Sequence, residues 1–124
     1  MTGSKLAAKQ SNEVSPKLKS QVVTVLEDLK GHDIVALNVS KLTDITDYMI
    51  VVSGASNRQV RALADAVVKF AKSIHLKLLG IEGKESLDWV LIDLGDVVVH
   101  VMHPDSRAFY NLEGLWSDFG DDTK

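Results

Sequence analysis

The sequence predicts an α/β domain: a mixed sheet of about five strands with helices packed against it, in the order α-β-β-α-β-β-β-α. Three observations carry that reading. Residues 89–102 alternate as a tight β-hairpin, two helical apolar stripes fall near residues 16–30 and 57–74, and short apolar runs stand between and beyond them. No segment repeats. A chain of 124 residues is long enough for one domain with a real core and too short for two ordinary ones.

Residues 1–14 sustain no hydrophobic period and read as a flexible N-terminal tail ahead of a single domain over 15–118, with 119–124 as a C-terminal tail. Ser15-Pro16 suits a helix start, Ser as N-cap and Pro in the first helical position. Leu18, Val22, Leu26 and Leu29 follow at helical spacing, and Gly31 suits the residue that stops the helix. Residues 34–39 read as a strand and 40–46 as a connection. Residues 48–53 are almost wholly apolar, as a strand buried on both faces would be.

Ser56-Asn57-Arg58-Gln59 fits a capping box. The helix it opens, to about residue 74, carries the stripe Val60, Leu63, Ala64, Val67, Ala71 and Ile74. Residues 77–82 are a strand candidate and 83–88 a polar loop. Pro104-Asp105 ends the last strand and opens a short helix through Phe109 and Leu112 toward Trp116.

In the hairpin, Gly95-Asp96 suits a two-residue turn with Gly first, as a type II′ turn prefers. A loop of that length sets Leu94 opposite Val97, Ile92 opposite Val99 and Val90 opposite Val101. Side chains alternate along a strand, so these six share the core face. The other face then carries Trp89, Leu91, Asp93, Val98, His100 and Met102. That set is too apolar for plain solvent and too polar for a second core. It reads as a docking face, anchored by a large aromatic with a rim of Asp88, Asp93 and His100. Cover by a helix of the same chain is the bland alternative.

Composition narrows the function. A hydrophobic fraction of 45% and a charged fraction of 25% are those of a soluble globular protein. No apolar run approaches 18 residues and the N-terminus lacks a signal-peptide core, so a cytoplasmic location is expected. The absence of cysteine excludes disulfides, thiolate metal sites and cysteine nucleophiles. A net charge of −3 argues against charge-driven binding of nucleic acid, so near nucleic acid the expected partner is a basic protein.

Catalytic constellations are weak. His100 and His103 point to opposite faces of one strand, which is poor geometry for a shared metal, and no metal or cofactor is expected. Ser53-Gly54-Ala55-Ser56 before a helix resembles a phosphate cradle, but the P-loop pattern and its lysine are missing, and a tight capped turn explains it. A nucleotide-binding or nucleotidyl-transferring enzyme built on that turn remains the rival reading. It lacks a close carboxylate pair, since Asp93 and Asp96 flank a turn. No nucleophile elbow is present, and Asp44 and Asp47 suit turns. Arg58 and Arg61 suit a small anion site or a solvated helix face, the commoner reason for such a pair.

Four blocks stand in order: Asp47-Tyr48-Met49-Ile50-Val51-Val52-Ser53-Gly54-x-Ser56-x-Arg58-Gln59-Val60; Gly80-x-Glu82-Gly83; Trp89-x-Leu91-Ile92-Asp93-x-Gly95-Asp96-Val97-Val98-Val99-His100-Val101; and Arg107-x-x-Tyr110-x-Leu112-Glu113-x-Leu115-Trp116. Together they resemble the ribosomal silencing factor family, the Iojap-related proteins, over roughly residues 16–118. The resemblance implies a nucleotidyltransferase-like fold without catalytic residues, hence no enzyme. It also implies a translation repressor that binds the large ribosomal subunit through ribosomal protein number fourteen. Bound there, it would block joining of the small subunit when nutrients are scarce. By that resemblance Trp89, Asp93 and Leu94 belong to the contact surface, to which the strand pattern adds Asp88, Leu91, His100 and Met102. The acidic Asp88 and Asp93 would oppose basic side chains. Self-association through the same face, as a homodimer, is a third reading. Two departures from the family stand out. Gly114 replaces a usual basic residue, which would end the last helix early, and Met102 replaces a common Phe of similar volume.

Overall fold

The computed structural model describes residues 2–112 and 114, with side chains described from residue 14 onward except those of Phe109 and Tyr110. Helix α1 (Thr2–Asp28) leads into β1 (His32–Asn38) and β2 (Tyr48–Ser53), then α2 (Asn57–Ser73). Strands β3 (Gly80–Glu82), β4 (Trp89–Asp93) and β5 (Val97–Met102) follow, with α3 (Pro104–Tyr110) last. This is the expected element order. The five strands form one sheet in the order β1-β2-β5-β4-β3. The β2–β5 pair is parallel and the other three are antiparallel, so the sheet is mixed.

The hairpin register agrees with alternation. Val90 pairs Val101, Ile92 pairs Val99, and Leu94 N–H donates to the Val97 carbonyl at 2.9 Å across a two-residue turn. Gly95 sits at φ +90° while Asp96 keeps a negative φ, as a type II′ turn requires. Asp93 Oδ1 accepts from Gly95 N–H at 2.9 Å and closes the turn from the side. The six residues assigned to the core face are all buried.

Those six meet the helical layer. Leu18, Val22 and Leu26 of α1 and Val60, Leu63, Ala64, Val67 and Ala71 of α2 join them in one apolar cluster with Ile50 and Val52 of β2. Central strand β2 is buried on both faces from Met49 to Ser53, as its unbroken apolar run predicts. Two stripe residues fall short. Leu29 and Ile74 are 40% and 41% exposed, because each lies at a helix end where the backbone turns away from the sheet.

The helix ends correct three details. The α1 backbone is helical from Thr2, so the start expected at Ser15-Pro16 lies inside the helix. Pro16 lacks the N–H an interior position would donate, yet the helix runs through it. Ser15 is no cap: its hydroxyl, 1% exposed, donates to Asp47 Oδ2 at 2.6 Å and ties α1 to the entry of β2. At the other end the left-handed position belongs to Lys30, at φ +60°, and Gly31 N–H closes the turn on the Leu26 carbonyl. Glycine is needed at 31 for another reason: a Cβ there would lie 2.6 Å from Val52 Cγ2. Helix α2 ends in the same way, with His75 left-handed and Leu76 N–H on the Ala71 carbonyl.

Ser56 caps α2 as predicted, its hydroxyl accepting from Gln59 N–H at 3.1 Å. Gln59 reaches further than a capping box requires. Its Oε1 accepts from Ala55 N–H, and its Nε2 donates to the carbonyls of Leu29 and Lys30. The start of α2 thus ties down the end of α1. Helix α3 closes at a left-handed Asn111 (φ +49°), three residues before Gly114, so Asn111 rather than Gly114 sets its end. The fourth-block residues Glu113, Leu115 and Trp116, and the 119–124 tail, lie outside the described residues.

Candidate docking face

Strands alternate, so the face turned away from α1 and α2 carries Trp89, Leu91 and Asp93 of β4 beside Val98, His100 and Met102 of β5. The parallel register continues it through Met49 and Val51, and β1 adds Val35 and Leu37. These residues make a second apolar cluster: Leu37, Val39, Met49, Val51 and Met102, with Val35, Trp89 and Leu112 packed against it. Leu112, just past α3, comes back onto this face. The face is therefore neither bare nor fully covered.

Burial divides the predicted contact residues. Asp88 is exposed, and Trp89, Leu91 and Asp93 are half-buried, so these four present surface. Met102 is 0% exposed and His100 7%, so both lie beneath the surface rather than on it. Leu94, 3% exposed, points into the main core with the other even-numbered residues of the strand. These three support the face from below.

The support is specific. Trp89 Nε1–H donates to His100 Nδ1 at 2.9 Å, with ring centroids 5.9 Å apart and planes tilted by 46°. That bond requires His100 Nδ1 to be unprotonated, leaving the ring proton on Nε2. Burial pushes the His100 pKa down from 6.5 to about 4, so the imidazole is neutral at physiological pH. Above pH 6.5 folded and unfolded chains both hold it neutral. Between pH 6.5 and 4 the unfolded chain takes up a proton that the folded chain refuses, so stability falls with pH by up to about 1.4 kcal/mol per unit. Asp96, raised by burial and by neighbouring Asp47, acts oppositely in the carboxylate range. Denaturation midpoints from pH 7 to 5 should therefore show a steeper loss in wild type than in His100→Gln. Parallel pH profiles would refute the assignment.

Three further residues hold the chain around this face, none obvious from pattern. Gly83, at φ +86°, lets the β3–β4 loop pass the Trp89 carbonyl, which an added Cβ would approach to 2.1 Å. His103 N–H donates to the Asp88 carbonyl at 3.1 Å, and its ring bonds Asn57 Oδ1 at 2.5 Å. Arg107 of α3, 9% exposed, donates to Ser53 Oγ at 2.9 Å and to the His32 carbonyl. Gly83 and Arg107 stand in the family blocks, which was the available signal for both.

The same contacts bear on the rival phosphate cradle. Gly54 is required for close approach, since a Cβ would lie 2.8 Å from Val60 N and Cγ2. Its N–H goes to the Met102 carbonyl, Ala55 N–H to Gln59, and Ser53 Oγ to Arg107. These three polar groups of the turn are spent on internal structure. Asp93 caps the hairpin turn, while Asp96 sits beside Asp47 and Ser15. His100 and His103 are engaged by different partners, and among the described residues no three His, Cys, Asp or Glu converge on one point.

Comparison with known proteins gives a consistent result. The family described as "Ribosomal silencing factor during starvation" matches residues 12–124. The ribosomal silencing factor of Chromobacterium violaceum is 49% identical over 100 residues, covering 81% of this chain and 82% of that protein. The mouse protein named "Mitochondrial assembly of ribosomal large subunit protein 1" is 37% identical over 101 residues, 77% of this chain and 43% of its own length. A crystal structure from Chromobacterium violaceum, 48% identical, superposes with a TM-score of 0.80 over 82% of this chain and 85% of that one. A family match over most of the chain and a shared fold at this identity agree: the chain belongs to the ribosomal silencing factor family.

Proposed function

We propose that the protein represses translation by steric occlusion, docking on the large ribosomal subunit through ribosomal protein number fourteen and keeping the small subunit from joining. The observation that carries this is the surface of Asp88, Trp89, Leu91 and Asp93. It sets a half-buried indole beside a half-buried leucine, between two carboxylates. An aromatic anchor rimmed by acid suits a basic protein surface, where the charges guide encounter and the ring supplies the buried area. The family description adds starvation as the setting, and the mouse relative's name ties that protein to the large subunit.

On this reading the chain works as a binding protein in the cytoplasm, without catalysis or cofactor. No described helix is long and apolar enough to cross a membrane. Co-sedimentation with purified subunits tests the proposal. The protein should pellet with the large subunit and not the small one, and should reduce joining of the two. Retention on the small subunit, or normal joining at saturating protein, would overturn it.

A further inference from the structure

The net charge of −3 hides a segregation of charge. Helix α2 carries four cations, Arg58, Arg61, Lys69 and Lys72, and a single carboxylate, Asp65. Their spacing of three, seven, eleven and fourteen residues from Arg58 places all five on one side of the helix. All are exposed, and Asp65 is paired with Lys84 at 3.7 Å. Among the described residues, none of the four α2 cations makes an ion pair.

The two arginines stand at the end of α2 that lies beside Leu87, the residue before Asp88. Arg58 and Arg61 line one groove with Asn57 and Leu87. Leu87 immediately precedes Asp88 and Trp89, and Asn57 holds the ring of His103, whose backbone N–H is bonded to the Asp88 carbonyl. The basic groove thus reaches Leu87, next in the chain to the rim residue Asp88, and the hydrogen bonds of His103 to Asn57 and to the Asp88 carbonyl tie the two together.

Resting on the docking reading above, we infer that the surface is bipartite: Asp88, Trp89, Leu91 and Asp93 meet a basic ribosomal protein, and Arg58 and Arg61 meet the RNA phosphates beside it. A ribosomal protein is bedded in RNA, so the surface next to it is phosphodiester. Arginine suits that neighbour, because its planar fork can hold two phosphate oxygens at once. Such contacts carry no sequence information; they fix orientation and make binding salt-dependent. The charge of the whole chain does not oppose this, since screening at physiological salt confines each interaction to about 8 Å.

The test compares wild type, Arg58→Gln/Arg61→Gln and Trp89→Ala on two probes, the intact large subunit and isolated ribosomal protein number fourteen, across a salt series. The double variant should bind the isolated protein as wild type does. On the intact subunit it should bind about tenfold more weakly at low salt. The slope of log affinity against log salt should be shallower by about 1.5, since each lost phosphate contact removes about 0.7 to 0.9. Trp89→Ala should weaken binding to both probes. Wild-type affinity and slope for the double variant on the intact subunit would overturn the inference while leaving the docking reading in place. Equal weakening on the isolated protein would also overturn it, by assigning the arginines to the protein contact. Failure of wild type to bind either probe would remove both. Both arginines are exposed and glutamine is a good helix former, so an unchanged melting temperature is the folding control.

Discussion

Replacing Trp89 with alanine is expected, on the docking proposed above, to cost about 2 kcal/mol of affinity for the large ribosomal subunit, roughly 30-fold, because anchor residues of this kind dominate small interfaces. The indole is half-buried in the free protein, so part of its surface is exposed while its body is held in place. The hold comes from the second apolar cluster and from the hydrogen bond to His100. A preorganised ring loses little rotamer freedom on binding, which raises its value as an anchor. The substitution also removes the donor to a buried imidazole, and that loss costs about 1 to 3 kcal/mol of stability. Trp89→Phe separates the two effects, since it keeps an aromatic ring and discards the N–H. Binding titrations on the folded variants, with melting curves alongside, make the measurement. Unchanged affinity in a folded Trp89→Ala protein would remove this residue from the interface.

Gly83→Ala should be among the most destabilising single substitutions in the chain, at about 3 kcal/mol or more. Two independent costs coincide there. The backbone sits at φ +86°, where an alanine is strained whatever the space around it. The added Cβ would also lie 2.1 Å from the Trp89 carbonyl oxygen and 3.2 Å from its carbonyl carbon. Both obstacles are backbone, so no side-chain rotation relieves them. The loop would have to move away from the first residue of β4, and Trp89 with it. Subunit binding should therefore fall in the fraction that still folds. Gly80→Ala is the matched control: a Cβ there meets nothing within 4 Å, and the change should stay within about 0.5 kcal/mol. Chemical denaturation of the two variants makes the comparison, and a loss below about 1 kcal/mol at Gly83 would show that the loop adapts.

Much of the architecture was legible because local periodicity and tertiary burial agree here. The turn at Gly95-Asp96 fixed the hairpin register, and the register fixed which six residues entered the core. Ser56 and Gln59 announced the start of α2, and the unbroken apolar run of β2 announced its burial on both faces. Termini were harder to read. Ser15-Pro16 has the chemistry of a helix start, but Ser15 spends its hydroxyl on Asp47, thirty-two residues away. Residues 77–82 have the apolar run of a full strand, yet the pairing with β4 is confined to Gly80–Glu82, with Leu79 N–H on the Asp93 carbonyl just before it.

The candidate site shows the same division. Local pattern along the chain set the hairpin, its two faces, the likeness to the family, and an aromatic with carboxylates on the face away from the main core. Those properties follow from alternation and from short-range turn chemistry, which act within a few residues. The tertiary structure decided which of those residues reach the surface. His100 and Met102 share a face with Trp89, but packing from Trp89, β2 and the returning Leu112 sinks them below it. It also decided what the cations of α2 stand beside: helical spacing puts four of them on one side, and packing sets Arg58 and Arg61 against Leu87. Burial and the placing of one element beside another depend on which distant segments meet, and no periodicity within one segment encodes that.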